Sequence, residues 1–194
     1  AATPDPQDGT IGRDASGQIT GILFESAAGL VEEILPEPSM ETLAGMLESA
    51  QAVLWKMGVT GVHDFDRRAC FQAMQYLDQN DRLRLRVVKS IPLELLPQAA
   101  ALGLRTGFGS AFLRIGSVKL FADGALGPRT AAMLQPYEGE SEYTGFPMLD
   151  AEQIVEFGQQ AVQTGISMAI HAIGDRANHE VLNAYEQLRS YENE

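Results

Sequence analysis

Apolar and polar positions follow two rhythms along the chain. The first is alternation by two. Thr10-Ile11-Gly12-Arg13 and Gln18-Ile19-Thr20-Gly21-Ile22-Leu23-Phe24 flank Asp14-Ala15-Ser16-Gly17. This predicts a β-hairpin in which Gly17 takes the positive φ of a tight turn. Before it, Ala1 to Gly9 is rich in Pro and Asp and reads as an irregular lead-in. Pro36 and Pro38 mark the next boundary, and the rhythm then changes. Met40, Leu43, Leu47, Ala50, Leu54 and Met57 recur every three or four residues, one face of an amphipathic helix. Ser39 is placed to cap that helix, Glu41 lies in its first turn, and Gly58 closes it.

From Val59 onward, short apolar runs alternate with helical patterns. Strands are predicted at 59–64, 83–90, 113–122 and 167–173. Helices are predicted at 68–77, 92–102 with Pro92 near its start, 150–164, and from Asp175 to about Ser190. Asp150 with Gln153 forms a capping-box pattern, and Gly165 ends that helix. A long loop rich in Gly and Pro fills 123–149. The order β-α-β-α-β-loop-α-β-α implies parallel strands joined by right-handed crossovers. The fold class is therefore α/β, either a small open sheet or about half of a TIM-type (β/α)8 barrel, preceded by the hairpin and a helix. Periodicity alone does not separate the two.

Composition narrows the function classes. The chain has 194 residues, 45% of them hydrophobic, enough for a real core. With 14 Lys+Arg against 26 Asp+Glu, the formal net charge is −12, which disfavours nucleic acid and anionic membrane surfaces as partners. No apolar run approaches the roughly 20 residues that span a bilayer. No basic-then-apolar leader opens the sequence. The one cysteine, Cys70, excludes an internal disulfide and a Cys-built zinc site, and makes a reducing, cytoplasmic setting the default. Cys70 itself reads as packing.

In α/β folds the chemistry sits at the carboxyl ends of the strands. There the sequence places His63-Asp64, then Lys119 followed by Asp123, then His171. Lys119 alternates with Val118 and Leu120. It is either a strand-end lysine reaching water or pairing with Asp123, or a functional amine or carbamate. His171 is either a satisfied interior imidazole or a metal ligand. His63 and Asp64 are adjacent on a strand and so face opposite ways. His179 reads as structural or exposed, and Asp175 as a helix cap. Arg129, in the long loop, is a surface arginine or a clamp for a substrate carboxylate. Gly107-Phe108-Gly109 precedes a strand rather than following one, so it is no dinucleotide fingerprint. Neither a phosphate loop nor a Gly-x-Ser-x-Gly elbow occurs.

Several segments resemble the amidohydrolase superfamily, in particular the type-3 amidohydrolases. They are Val118 to Gly127 continuing through Arg129-Thr130-Ala131-Ala132-Met133 to Pro136-Tyr137, then His171 to Ala177, Gly58 to Asp64, and the hairpin with Glu25. Pro128 departs from the serine expected there. The resemblance implies a metal-dependent (β/α)8 hydrolase that activates water to attack a carbon–nitrogen bond of a small-molecule substrate. It implies Lys119, as a carbamate, and His171 as metal ligands of a divalent ion, zinc in the first instance. Asp123, Arg129 and His63, at the strand ends and in the long loop, are the candidate substrate contacts. The family's His-x-His pair, a later histidine and a late aspartate are absent from the sequence. On this mapping the chain is an internal fragment. Residues 1–57 belong to an insertion, and 58–194 form strands two to five of the barrel. The isolated fragment is then expected to be metal-free and inactive, and to self-associate through open strand edges and an uncovered apolar sheet face. Two alternatives remain: a non-catalytic α/β binding module with structural Lys119 and His171, and a metal-free enzyme using Lys119 as base or Schiff-base amine.

Overall fold

The computed structural model describes residues 3–7 and 9–192. Of the expected lead-in, Ala1, Ala2 and Asp8 lie outside the described residues. The chain divides into two compact units, Ala1–Pro38 and Ser39–Glu194.

The first unit is the expected hairpin followed by one short helix. Strands β1 (Gly9–Arg13) and β2 (Ile19–Glu25) pair antiparallel. Asp14 builds the turn: one carboxylate oxygen accepts from the Ser16 and Gln18 backbone N–H groups and the Ser16 hydroxyl, which holds its pKa below the usual carboxylate value. Gly17 has φ 81°, as the turn requires. A 3-10 turn (Ser26–Ala28) leads into α1 (Gly29–Glu32).

The second unit holds a four-stranded sheet, β3 (Gly61–Asp64), β4 (Arg86–Pro92), β5 (Leu113–Phe121) and β6 (Ser167–His171), parallel and in sequence order. It is curled into a half-barrel, which settles the choice that the alternation left open in favour of the architecture the resemblance implies. Helices α2 (Met40–Lys56), α3 (Arg68–Gln79), α4 (Leu96–Ala101), α5 (Ala151–Thr164) and α6 (Asp175–Glu192) complete the unit. The main core lies between sheet and helices, with Val118, Leu120, Leu96 and Ala161 almost fully buried. Helix α5 has the full Asp150–Gln153 capping box, and Gly165 ends it in the left-handed conformation.

Four local differences from the sequence reading have physical causes. The buried stripe of α2 runs through Ala44 and Gln51, while Met40 and Met57 are exposed. Gln51 is drawn inward because its side-chain oxygen accepts from the Arg84 and Leu85 N–H groups. That same bonding occupies residues 84–85, so β4 starts at Arg86 rather than Leu83. Pro92 ends β4, and the proline at the start of α4 is Pro97, after a 3-10 turn at Leu93–Leu95. Asp175 is the first residue of α6, and its carboxylate accepts from Leu134, 41 residues earlier.

Alternation along β5 divides its side chains. Val118 and Leu120 enter the helix-side core, so Lys119 and Phe121 face the concave side of the sheet. That concave face is not the apolar surface the half-barrel argument expects. It carries Ser90 and Ser117, buried and hydrogen-bonded to each other at 3.1 Å, along with His63, Lys119 and His171.

Candidate metal centre at the strand ends

Register brings the two expected metal ligands to one place. Lys119 pairs with Ala169, and Phe121 with His171, on neighbouring strands. Both ligand candidates therefore lie on the concave face at the carboxyl ends, two positions apart along the strand direction. The Phe121 ring lies against both. Its centroid is 4.1 Å from Lys119 Nζ and 5.4 Å from the His171 ring.

Lys119 Nζ donates to the Leu120 carbonyl at 2.9 Å and lies 5.5 Å from the Phe65 ring. Among the described residues it has no carboxylate within ion-pair distance, Asp123 included. Burial without a counter-charge pushes its pKa down from the ordinary lysine value. A cavity of about 450 Å³ opens beside it, lined by Phe65, Arg67, Glu94, Lys119, Phe121 and Met148 among others.

His171 Nε2 is 2.7 Å from the Gly124 carbonyl and 3.9 Å from Asp123 Oδ1. A carbonyl only accepts, so Nε2 carries the hydrogen and Nδ1 holds the lone pair of the neutral ring.

The expected substrate contacts are placed unequally. His63 lies on the same concave face, exposed, on β3 and two strands from Lys119. Arg129 is on the loop with φ 60° and forms an exposed ion pair with Glu140 at 3.1 Å. Pro128 sits in the turn closed by the Arg129 N–H on the Leu126 carbonyl. Asp123 is fully buried, and both its oxygens accept backbone N–H groups. His179 is exposed on α6.

One charged pair escaped the sequence reading. Asp64, facing away from His63, takes Lys89 at 2.6 Å, and both side chains are more than nine-tenths buried. Lys89 also donates to the Asp66 carbonyl. The sequence signal was a lysine inside the apolar run Val87-Val88-Lys89-Ser90-Ile91, and the β3–β4 register sets it directly opposite Asp64. Asp64, Asp66 and Cys70 bring ligand atoms within 4.8 Å of one another. The Lys89 ammonium already supplies the cation there. Burial, then the Asp64 and Asp66 charges, push the Cys70 thiol up to about 12, so it is an inert packing group.

Four parallel strands curl into half a barrel, with a lysine and a histidine on one face of their carboxyl ends, and metal-dependent hydrolases of known structure share this fold. The chain belongs to the amidohydrolase family, whose pattern matches residues 1–193. It is 32% identical over 191 residues to the putative amidohydrolase YtcJ of Bacillus subtilis (strain 168), an alignment covering 95% of this chain and 36% of that protein. It is 28% identical over 211 residues to the N-substituted formamide deformylase of Arthrobacter pascens, covering 100% of this chain and 37% of the relative. The crystal structure of an uncharacterized metal-dependent hydrolase from Pyrococcus horikoshii OT3 superposes with a TM-score of 0.77 at 29% identity, over 96% of this chain and 37% of that one. The chain thus spans little more than a third of the length of these relatives. Among the described residues, no helix is long and apolar enough to cross a membrane.

Proposed function

We propose that the protein hydrolyses a non-peptide carbon–nitrogen bond of a small molecule, with a divalent metal, zinc in the first instance, held in part by Lys119 and His171. The observation that carries this reading is their placement on one face of adjacent strand ends, with Lys119 lacking a counter-charge. The deformylase relative, by its name, acts on an N-substituted formamide, a bond of the same class.

The residues fit such an ion in donor type. A metal bound there polarises the scissile carbonyl and lowers the pKa of water towards about 7. Burial enlarges the neutral fraction of Lys119, the form whose lone pair adds to carbon dioxide. That addition releases one proton and leaves a carbamate with oxygen donors, suited to a borderline or hard divalent cation. His171 offers Nδ1 while its Nε2–H stays on Gly124. Phe65 and Phe121 limit water around the amine. His63 faces the same lumen as a substrate contact, and Arg129 exchanges Glu140 for a substrate carboxylate. Residues 1–57 form an insertion and 58–194 the barrel portion of a larger cytoplasmic enzyme. By itself the 194-residue chain is inactive, since two ligands are fewer than the three a catalytic zinc site uses, and it self-associates through the open edges at β3 and β6.

The test is hydrolysis of a panel of N-acyl and N-formyl amines by the protein in its full reading frame. Turnover that is lost to a chelator, restored by a divalent metal and abolished in Lys119→Met supports the proposal. Turnover that survives both metal removal and Lys119→Met overturns it.

A further inference from the structure

Asp123 was expected to touch substrate, but its surroundings point elsewhere. It follows β5 directly and is 0% exposed. Its Oδ1 accepts the Ile173 N–H at 2.9 Å, and its Oδ2 accepts those of Ala132 at 2.9 Å and Gly174 at 2.7 Å. One carboxylate thus ties three segments together: the end of β5, the returning arm of the long loop, and the turn after β6. The loop between Gly124 and Ala132 closes on itself, with the Thr130 and Ala131 N–H groups on the Ala125 carbonyl. Gly124 and Gly174 leave no room for a side chain. A Cβ at the first would strike the Thr130 side chain, and at the second the Ala132 backbone. The Gly124 carbonyl is the acceptor of His171 Nε2–H.

We propose that Asp123 is a positioning residue for His171: by clamping the loop to the turn after β6, it fixes the Gly124 carbonyl against Nε2 and so presents Nδ1 to the lumen with its lone pair free. The inference rests on the reading of His171 as a ligand, yet concerns this chain's own atoms. A carboxylate fits the task because it accepts at both oxygens. An amide at the same position accepts at one only, so either the Ile173 bond or the Ala132–Gly174 pair is lost. The negative charge of Asp123, 3.9 Å from Nε2, favours a hydrogen on that nitrogen as well.

The chain has three histidines, so its imidazole nitrogens are readily assigned by two-bond ¹H–¹⁵N correlation. The measurement uses the full 194-residue chain treated with chelator, at about pH 8 where ordinary imidazoles are neutral. His171 is expected as the Nε2–H tautomer in the unsubstituted chain. In Asp123→Asn that population falls at least several-fold. In Asp175→Ala, which releases the Leu134 N–H of the same loop, it stays unchanged. An Nδ1–H tautomer in the unsubstituted chain overturns the proposal whether or not Asp123→Asn folds. An unchanged tautomer in folded Asp123→Asn, or an equal loss in Asp175→Ala, also overturns it. Because the readout is taken without metal, failure of the metal reading leaves it intact. That reading fails separately, if the full-frame protein binds no divalent ion.

Discussion

Replacing Lys89 by Met removes one partner of an ion pair whose two side chains are 5% and 8% exposed and 2.6 Å apart. The loss leaves the Asp64 carboxylate buried without its counter-charge, and the Asp66 carbonyl without its donor. Breaking a buried pair from one side costs about 3–5 kcal/mol, because the orphaned charge keeps its full desolvation penalty. In a domain of this size each kcal/mol moves Tm by about 2–4 °C, so Lys89→Met is expected to melt about 6–20 °C lower. Lys89→Met/Asp64→Leu removes both charges and recovers most of that loss, falling short by about 1 kcal/mol for the Asp66 carbonyl. Thermal and urea unfolding of the two variants, followed by circular dichroism, give both numbers. If Lys89→Met lies within about 1 kcal/mol of the unsubstituted chain, the pair is wet, and the burial argument for this end of the sheet fails.

Three further outcomes follow from the same packing. Leu120→Ala, at a side chain 1% exposed in the helix-side core, costs about 2–5 kcal/mol in urea unfolding; a loss under 1 kcal/mol means that this core collapses around the gap. Cys70, with its thiol pushed up to about 12, resists iodoacetamide at pH 8 in the folded chain and reacts at an ordinary rate in urea; fast native alkylation contradicts its burial. Lys119 has a folded pKa below the unfolded value, so its charge destabilises the fold at low pH, and this cost disappears as pH rises through the unfolded lysine pKa. Its neutral amine accumulates at lower pH in the folded chain than in the unfolded one, so reductive methylation read by mass spectrometry modifies Lys119 at lower pH in the native chain than in urea. The reverse order refutes the assignment.

Local rules that act within a few residues were legible in the sequence. The Asp150–Gln153 box, Gly165, Gly17 and the strand alternation at Lys119 need only near neighbours, and each lies where the pattern placed it. That His63 and Asp64 face opposite ways followed from the pleat alone. Partners set by the folded chain were not legible. Lys89 meets Asp64 across 25 residues, Gln51 reaches residues 84 and 85, and Asp175 takes Leu134. Asp123 stood out in the sequence as a polar group at a strand end, the position of substrate contacts in this architecture. Its three backbone donors come from 9, 50 and 51 residues downstream and could be placed only by the fold. The strand-end argument brought Lys119 and His171 to the same end of the sheet, but that Lys119 lies opposite Ala169 and Phe121 opposite His171 needed the register of β5 on β6, which periodicity does not give.

The central claim is that Lys119 and His171 hold a divalent metal in the intact enzyme. Metal content per chain, measured by plasma mass spectrometry on the full-reading-frame protein, tests it directly. The account predicts a divalent metal in the unsubstituted protein, and its loss in Lys119→Ala and in His171→Ala while both variants keep native circular dichroism. Full metal occupancy in both folded variants would contradict it.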